Sequence, residues 1–192
     1  SGGLPSDFHF GAGGAATLEI SAVGDGPVTV GGGSGASYDG ARAGDGGRVD
    51  WFAPGTFVAA RGGDASSRSV GVSTADESGG WGSGRVGVSD RAFGGRGSSG
   101  VVNATDSHAG DGGHASSVAI GRNATDDRVD VNARAQGGDA QASGAFGGVA
   151  HANAEGISTG GGLVYVTAVQ QTGASGPWGA GSPIPDGADA IM

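Results

Sequence analysis

The groups in this chain best suited to chemistry are carboxylates, and the densest set is Asp126, Asp127 and Asp130. Oxygen donors on loops are what a hard cation such as calcium takes, so these three are the candidate ligands for the one cofactor the sequence offers. The calcium-binding nonapeptide GGxGxDxUx is not matched, since its nearest approximation, Gly46-Gly47-Arg48-Val49-Asp50, lacks the third glycine. Aspartate has a competing role. The chain holds sixteen Asp against three Glu, and Asp25, Asp45, Asp64, Asp111 and Asp139 all stand beside glycine. Asp bonds nearby backbone and suits turns, which makes turn capping the leading role and leaves no resident cofactor as the expectation.

His108 and His114 flank the turn Gly110-Asp111-Gly112-Gly113, with Asp106 and Asp111 close in sequence. Two imidazoles and a carboxylate could share a metal, but no zincin, cupin or deaminase spacing accompanies them, and exposed loop histidines are the simpler reading. No catalytic set stands out. Gly82-Ser83-Gly84 lacks the flanks of a nucleophile elbow, and with only Glu19, Glu77 and Glu155 a paired-carboxylate hydrolase would have to use Asp. Lysine and cysteine are absent, which removes Schiff-base chemistry, disulfides and thiolate metal sites. The chain is not expected to be an enzyme. Asn103-Ala104-Thr105 and Asn123-Ala124-Thr125 are glycosylation sequons, and Trp51, Trp81 and Trp178 are candidate stacking platforms for sugars.

The elements that must carry these residues are dominated by glycine, 46 of 192 residues. A glycine-rich backbone loses much entropy on folding, so hydrogen bonding and close packing must do the stabilising. Leu, Ile, Val and Phe make up about 17% of the chain, under the ~20% associated with disorder in charged chains, so any core is thin. The net charge of -9 argues against nucleic-acid binding. No apolar run reaches the ~18 residues of a membrane span. The opening at Ser1 reads as a secreted chain after removal of its signal peptide.

Strand signals are plentiful. Leu163 to Val169 is the strongest, preceded by Gly160 to Gly162. Ala16 to Val23 and Val28 to Val30 flank Gly24-Asp25-Gly26-Pro27 and predict a hairpin. Arg48 to Phe52 and Thr56 to Ala60 flank Pro54-Gly55 and predict a second. Shorter strands follow at 70–73, 85–89, 101–104, 118–120 and 128–132, separated by glycine-rich turns. The one place for a short helix is 148–155.

The recurring Gly62-Gly63-Asp64-Ala65, Gly110-Asp111-Gly112-Gly113 and Gly137-Gly138-Asp139-Ala140 punctuation, with Ala, Ser, Val and Thr between, resembles the glycine-, alanine- and aspartate-rich secreted proteins of bacterial surfaces and biofilm matrices. The likeness is compositional, covers roughly residues 30 to 160, and implies a fibre-forming role without active-site residues.

The sequence therefore predicts an all-β chain of short irregular strands with Gly/Asp-rich turns, β-solenoid-like or a thin β-sandwich, with extended terminal arms. Residues 1–15 form an N-terminal arm, 16–173 a glycine-rich β domain and 174–192 a proline-containing C-terminal arm. The expected function is an extracellular structural protein that self-assembles without covalent links into a fibre, filament or surface layer. The alternative is a secreted adhesin or carbohydrate-binding module. Leu4, Phe8 and Phe10 at one end, and Trp178, Ile184, Ile191 and Met192 at the other, are the expected subunit contacts, because large apolar groups on a free tail gain nothing until buried.

Overall fold

The computed structural model describes residues 7–9, 11–31, 40–47, 56–76, 80–98, 110–141 and 144–176, with the backbone alone at 7–9 and 56–58. Among these residues eleven strands appear in chain order: β1 (Asp7–His9), β2 (Ala16–Gly24), β3 (Val28–Val30), β4 (Ala41–Arg42), β5 (Thr56–Val58), β6 (Ala65–Ser73), β7 (Val86–Phe93), β8 (Ala115–Asn123), β9 (Val129–Gln136), β10 (Ala150–Ser158) and β11 (Val164–Gln171). Sheet I runs β10-β8-β6-β2. Sheet II runs β11-β9-β7-β3, with β4 also on β7, and β1 pairs β5. Every pairing is parallel, and neither main sheet closes into a barrel.

From β6 onward the chain alternates between the two sheets, and each return lands in register on the previous visit. Ala16, Ala65, Ala115 and Ala150 form one cross-strand row. Val28, Val86, Val129 and Val164 form another. Burial alternates along β6 to β9, so each strand turns a row of mostly small or β-branched residues inward and a mixed row outward, wholly polar on β9. The two rows meet as knobs and gaps. A β-carbon on Gly71 would lie 2.8 Å from Val88 Cγ2, one on Gly121 2.7 Å from Val131 Cγ2, and one on Gly156 2.6 Å from Val164 Cγ1. Glycine on sheet I is thus the space that valine on sheet II fills, which is the thin, glycine-lined core the composition implies. A second layer is built from Ala41, Ala43, Ala65, Ala92, Ala115, Ala135 and Ala150.

Beside the sheets, the glycine pairs stack into a seam. Backbone bonds of 2.8 to 3.0 Å run from Gly44 N to Gly14 O, then Gly63 to Gly44, Gly95 to Gly63, Gly113 to Gly95, Gly138 to Gly113, Gly148 to Gly138 and Gly173 to Gly148. A β-carbon on Gly63, Gly95, Gly113, Gly138, Gly148 or Gly173 would stand 1.8 to 2.2 Å from the carbonyl oxygen of a glycine one repeat earlier. The backbones lie too close for any side chain, and that is why the punctuation is glycine.

Two expectations are corrected, and a third falls partly outside the described residues. The 16–23/28–30 hairpin does not form: β2 belongs to sheet I and β3 to sheet II, because the turn chemistry at 24–27 serves a crossing between sheets as well as it serves a hairpin. In the second predicted hairpin, Thr56–Val58 pairs with β1 in parallel, while Arg48 to Phe52 lies outside the described residues. The predicted helix at 148–155 is instead mostly β10, where in-register pairing with β8 overrides alanine's helix preference. The main strands are also longer and more regular than expected, at eight or nine residues. Of the proposed C-terminal arm, Ala174 and Gly176 still bond to the β domain, at Asp139, Ala140 and Ala145.

Candidate functional site

A buried polar cluster links β8 to the turn before β7. Asn123 Nδ2 donates to Gly84 O at 3.0 Å and to Asp127 O at 2.8 Å. The Asp127 carboxylate accepts the amides of Gly82 at 2.8 Å and Gly84 at 2.7 Å, while Thr125 Oγ1 donates to Asp127 Oδ2 at 3.3 Å. The amide of Gly84 is the main reason the Asp127 carboxyl is held below its ordinary range; Gly82 and Thr125 add to it and burial works against it. Asn123 Oδ1 is buried with no hydrogen-bond partner.

This cluster fixes the turn 81–84, and the turn presents Trp81 at 101% exposure. With Leu163, 66% exposed, and Arg85 and Arg128, Trp81 borders a cleft of about 370 Å³. Arg128 also lines a second cleft of about 450 Å³ on the outer face of sheet II, with Thr29, Ser89, Asp130, Asn132, Tyr165 and Thr167. There Arg128 Nε donates to Asp130 Oδ1 at 2.6 Å, and its guanidinium stands 4.2 Å from the Tyr165 ring centroid. The bond to Asp130 is the main reason its pKa is raised. A free indole face, a tyrosine and a row of hydroxyl and amide groups form a surface of the kind on which a sugar ring can stack and bond.

No protein-family model, no curated protein and no solved structure matches this chain.

The other concentrations of exposed apolar surface lie on the outermost strands. Ile20 and Val23 are exposed on β2, Ile157 on β10, and Val164, Tyr165, Val166 and Val169 on β11. Among the described residues, nothing pairs with the outer edges of β2, β10 or β11.

The predicted calcium ligands do not converge. Asp127 faces backbone amides, Asp130 bonds Arg128 and stands 3.6 Å from Arg85, and Asp126 lines the Trp81 cleft. Among the described residues, no group of three or more His, Asp or Glu side chains is assembled for a metal. His108 and Asp106 lie outside the described residues. His114 Nδ1 accepts the amide of Val149 at 2.9 Å, and Asp111 Oδ1 that of Phe146 at 2.7 Å. Asn123 is 5% exposed with its sequon nitrogen bonded as above; Asn103 is outside the described residues. So are Leu4, Phe10, Trp51, Trp178, Ile184, Ile191 and Met192, and of Phe8 only the backbone is described, paired with Phe57.

Two features escaped the sequence reading. Asp90, 1% exposed, accepts Ser67 Oγ at 2.7 Å, Ser69 Oγ at 2.7 Å and Ser117 Oγ at 2.6 Å, a carboxylate inside the core held by three hydroxyls of the opposite sheet. Its signal was present in the alternation Val86, Val88, Asp90, Ala92, which puts Asp90 on the inward row. The aspartates beside glycine do cap backbone, but across repeats: Asp64 bonds the amide of His114, Asp45 that of Arg96 and Asp139 that of Ala174, at separations of 50, 51 and 35 residues.

Proposed function

We propose that this chain is an extracellular structural subunit that assembles non-covalently with copies of itself into a fibre, filament or surface layer, its strands wound as a β-solenoid-like coil. The observation that carries this reading is the open sheet ends: among the described residues, the outer edges of β2, β10 and β11 are unpaired and these strands carry apolar side chains in water. Exposed flat edges are normally blunted by lysine, proline or bulges; this chain has no lysine at all. The compositional likeness to secreted matrix proteins supports the extracellular assignment. Light scattering and electron microscopy over a concentration series test assembly, with extended polymers expected and a strictly monomeric protein at high concentration overturning it. Fractionation of producing cells tests location, where a cytosolic pool alone would overturn it.

A second reading, a secreted adhesin or carbohydrate-binding module, is favoured by Trp81, whose complete exposure on a pinned turn serves no packing. Retention on immobilised polysaccharides that is lost in Trp81→Ala would support it. Equal retention of both proteins would dismiss it.

A further inference from the structure

Each sheet I strand straddles two consecutive sheet II strands. Gly71 of β6 faces Val30 of β3 and Val86 and Val88 of β7; Gly121 of β8 faces Val86 of β7 and Val129 and Val131 of β9; Gly156 of β10 faces Val131 of β9 and Val164 and Val166 of β11. This stagger leaves a step at each end. Beyond β11 the described residues supply no further sheet I strand, and Val164 and Val166 are 39% and 47% exposed although they occupy the inward row. Before β2 the described residues supply no preceding sheet II strand, and Ile20 is 39% exposed and Leu18 only half buried.

Resting on the self-assembly reading, we infer that the two steps are complementary and that copies stack head to tail, the β2 end of one on the β10/β11 end of the next, in the register of the internal repeats. The row chemistry supports a second copy as the occupant. Between β7 and β8 the contact at this position is polar, Ser117 against Asp90, whereas β9 and β10 carry Ala133 and Ala152 there. At the ends the matching residues are Leu18, in register with Ser67 and Ser117, and Ala168, in register with Ala133 and so with Asp90. A large apolar group therefore meets a small one at a position that β9 and β10 already fill with apolar residues and where β7 and β8 carry a bonded polar pair. On the outer face of sheet I, continuing the register sets Thr17 beside His151, Glu19 beside Asn153, Ser21 beside Glu155 and Val23 beside Ile157, with no like charges opposed. The glycine seam ends at Gly14 N and Gly173 O, which the same step would join. Such an interface is heterologous and adds copies in one direction, giving an open polymer wherever its rotation does not close a ring.

The chain has no cysteine, so engineered thiols report contacts directly. Neighbouring parallel strands lie ~4.8 Å apart, within the reach of a disulfide. Val23→Cys and Ile157→Cys, both on exposed positions, are made singly and together. The double variant is expected to give a ladder of covalent oligomers under oxidation, and a mixture of the two single variants a covalent dimer containing one of each. Polymers in which each single variant cross-links to itself but the mixed pair does not form would overturn the head-to-tail register while leaving self-assembly intact. Absence of polymers would overturn both. If assembly occurs only after deletion of residues 177–192, the chain's own C-terminal segment is the occupant in the intact chain and the inference fails. Ile20→Arg supplies a second check: it should raise the concentration needed for assembly at least tenfold while the circular dichroism of the monomer is unchanged, and wild-type assembly by this variant would count against the interface.

Discussion

Val131 Cγ2 lies 2.7 Å from the point where a β-carbon on Gly121 would stand, so the valine of one sheet fills the missing side chain of the other. Gly87, on the outer face of sheet II, is the opposite case, its nearest contact being Thr29 Oγ1 at 4.0 Å. Gly121→Ala is therefore expected to destabilise by about 1–3 kcal/mol through overpacking. For a chain of this size that is a fall in Tm of roughly 2–12 °C. Gly87→Ala should be neutral or raise Tm slightly, because it only restricts the unfolded chain. Thermal unfolding of the two variants checks the pair, and equal effects would show that the valine-into-glycine contact is not what fixes the sheet spacing.

Asp90 predicts a non-additive result. Asp90→Ala leaves Ser67, Ser69 and Ser117 with buried hydroxyls and no acceptor, at a cost of about 1–3 kcal/mol for each group left unpaired. The neighbouring strand already shows an apolar solution, since β9 carries Ala133 at this row. Replacing the three serines by alanine together with Asp90→Ala should recover much of the lost stability. Denaturant unfolding of the single and quadruple variants measures it, and a quadruple variant less stable than Asp90→Ala would rule out the orphaned hydroxyls as the cause.

Asp127 gives an acid-range signature. Its folded-state pKa lies below the ordinary 3.8, chiefly through the Gly84 amide. A depressed carboxylate contributes stability that is fully present above the unfolded value and is lost as pH falls through the folded one. Its contribution should thus be flat from pH 7 to about 5 and disappear below the ordinary carboxylate range. Asp127→Asn leaves a single acceptor for the Gly82 and Gly84 amides, so it should lower Tm at pH 7 and flatten the fall between pH 4 and 2. Melting curves across that span test the sign. An unchanged acid limb in the variant would move the dependence to other carboxylates.

Much of the fold's local punctuation was legible, and its pairing was not. Leu163 to Val169 was read as a strand because β-branched residues follow three glycines, and β11 occupies 164–171. Partner choice is a long-range matter: β2 ignores β3, four residues on, and pairs with β6, because Ala16 to Gly24 matches Ala65 to Ser73 row by row. Turn residues at 24–27 report that the chain bends and say nothing of which sheet it enters. The same holds at the candidate sites. Asp64 was legible as a backbone cap from its glycine neighbours, whereas its target, the amide of His114, is set by a stacking of repeats that no short window contains. The Trp81 turn was visible only as an isolated tryptophan, since the carboxylate that pins it comes from Asp127, 43 to 45 residues away from the amides it accepts.

The stacking of Asp64 under His114 leads to a test of whether the caps are interchangeable. His114 follows Gly112-Gly113 as Asp64 follows Gly62-Gly63, and its Nδ1 accepts the amide of Val149 at 2.9 Å just as Asp64 accepts the amide of His114. The role demands an acceptor one repeat back from the start of the next strand, and imidazole and carboxylate both supply one. His114→Asp is expected to keep the Val149 amide protected from hydrogen exchange. His114→Ala, which removes the acceptor, should speed exchange there roughly two- to tenfold, as loss of a bond worth about 0.5–1.5 kcal/mol implies, with little change in the interior of β8. If the alanine variant protects Val149 as well as the wild type does, the repeat-to-repeat cap contributes nothing to the start of β10, and the glycine seam alone holds that end of the strand in place.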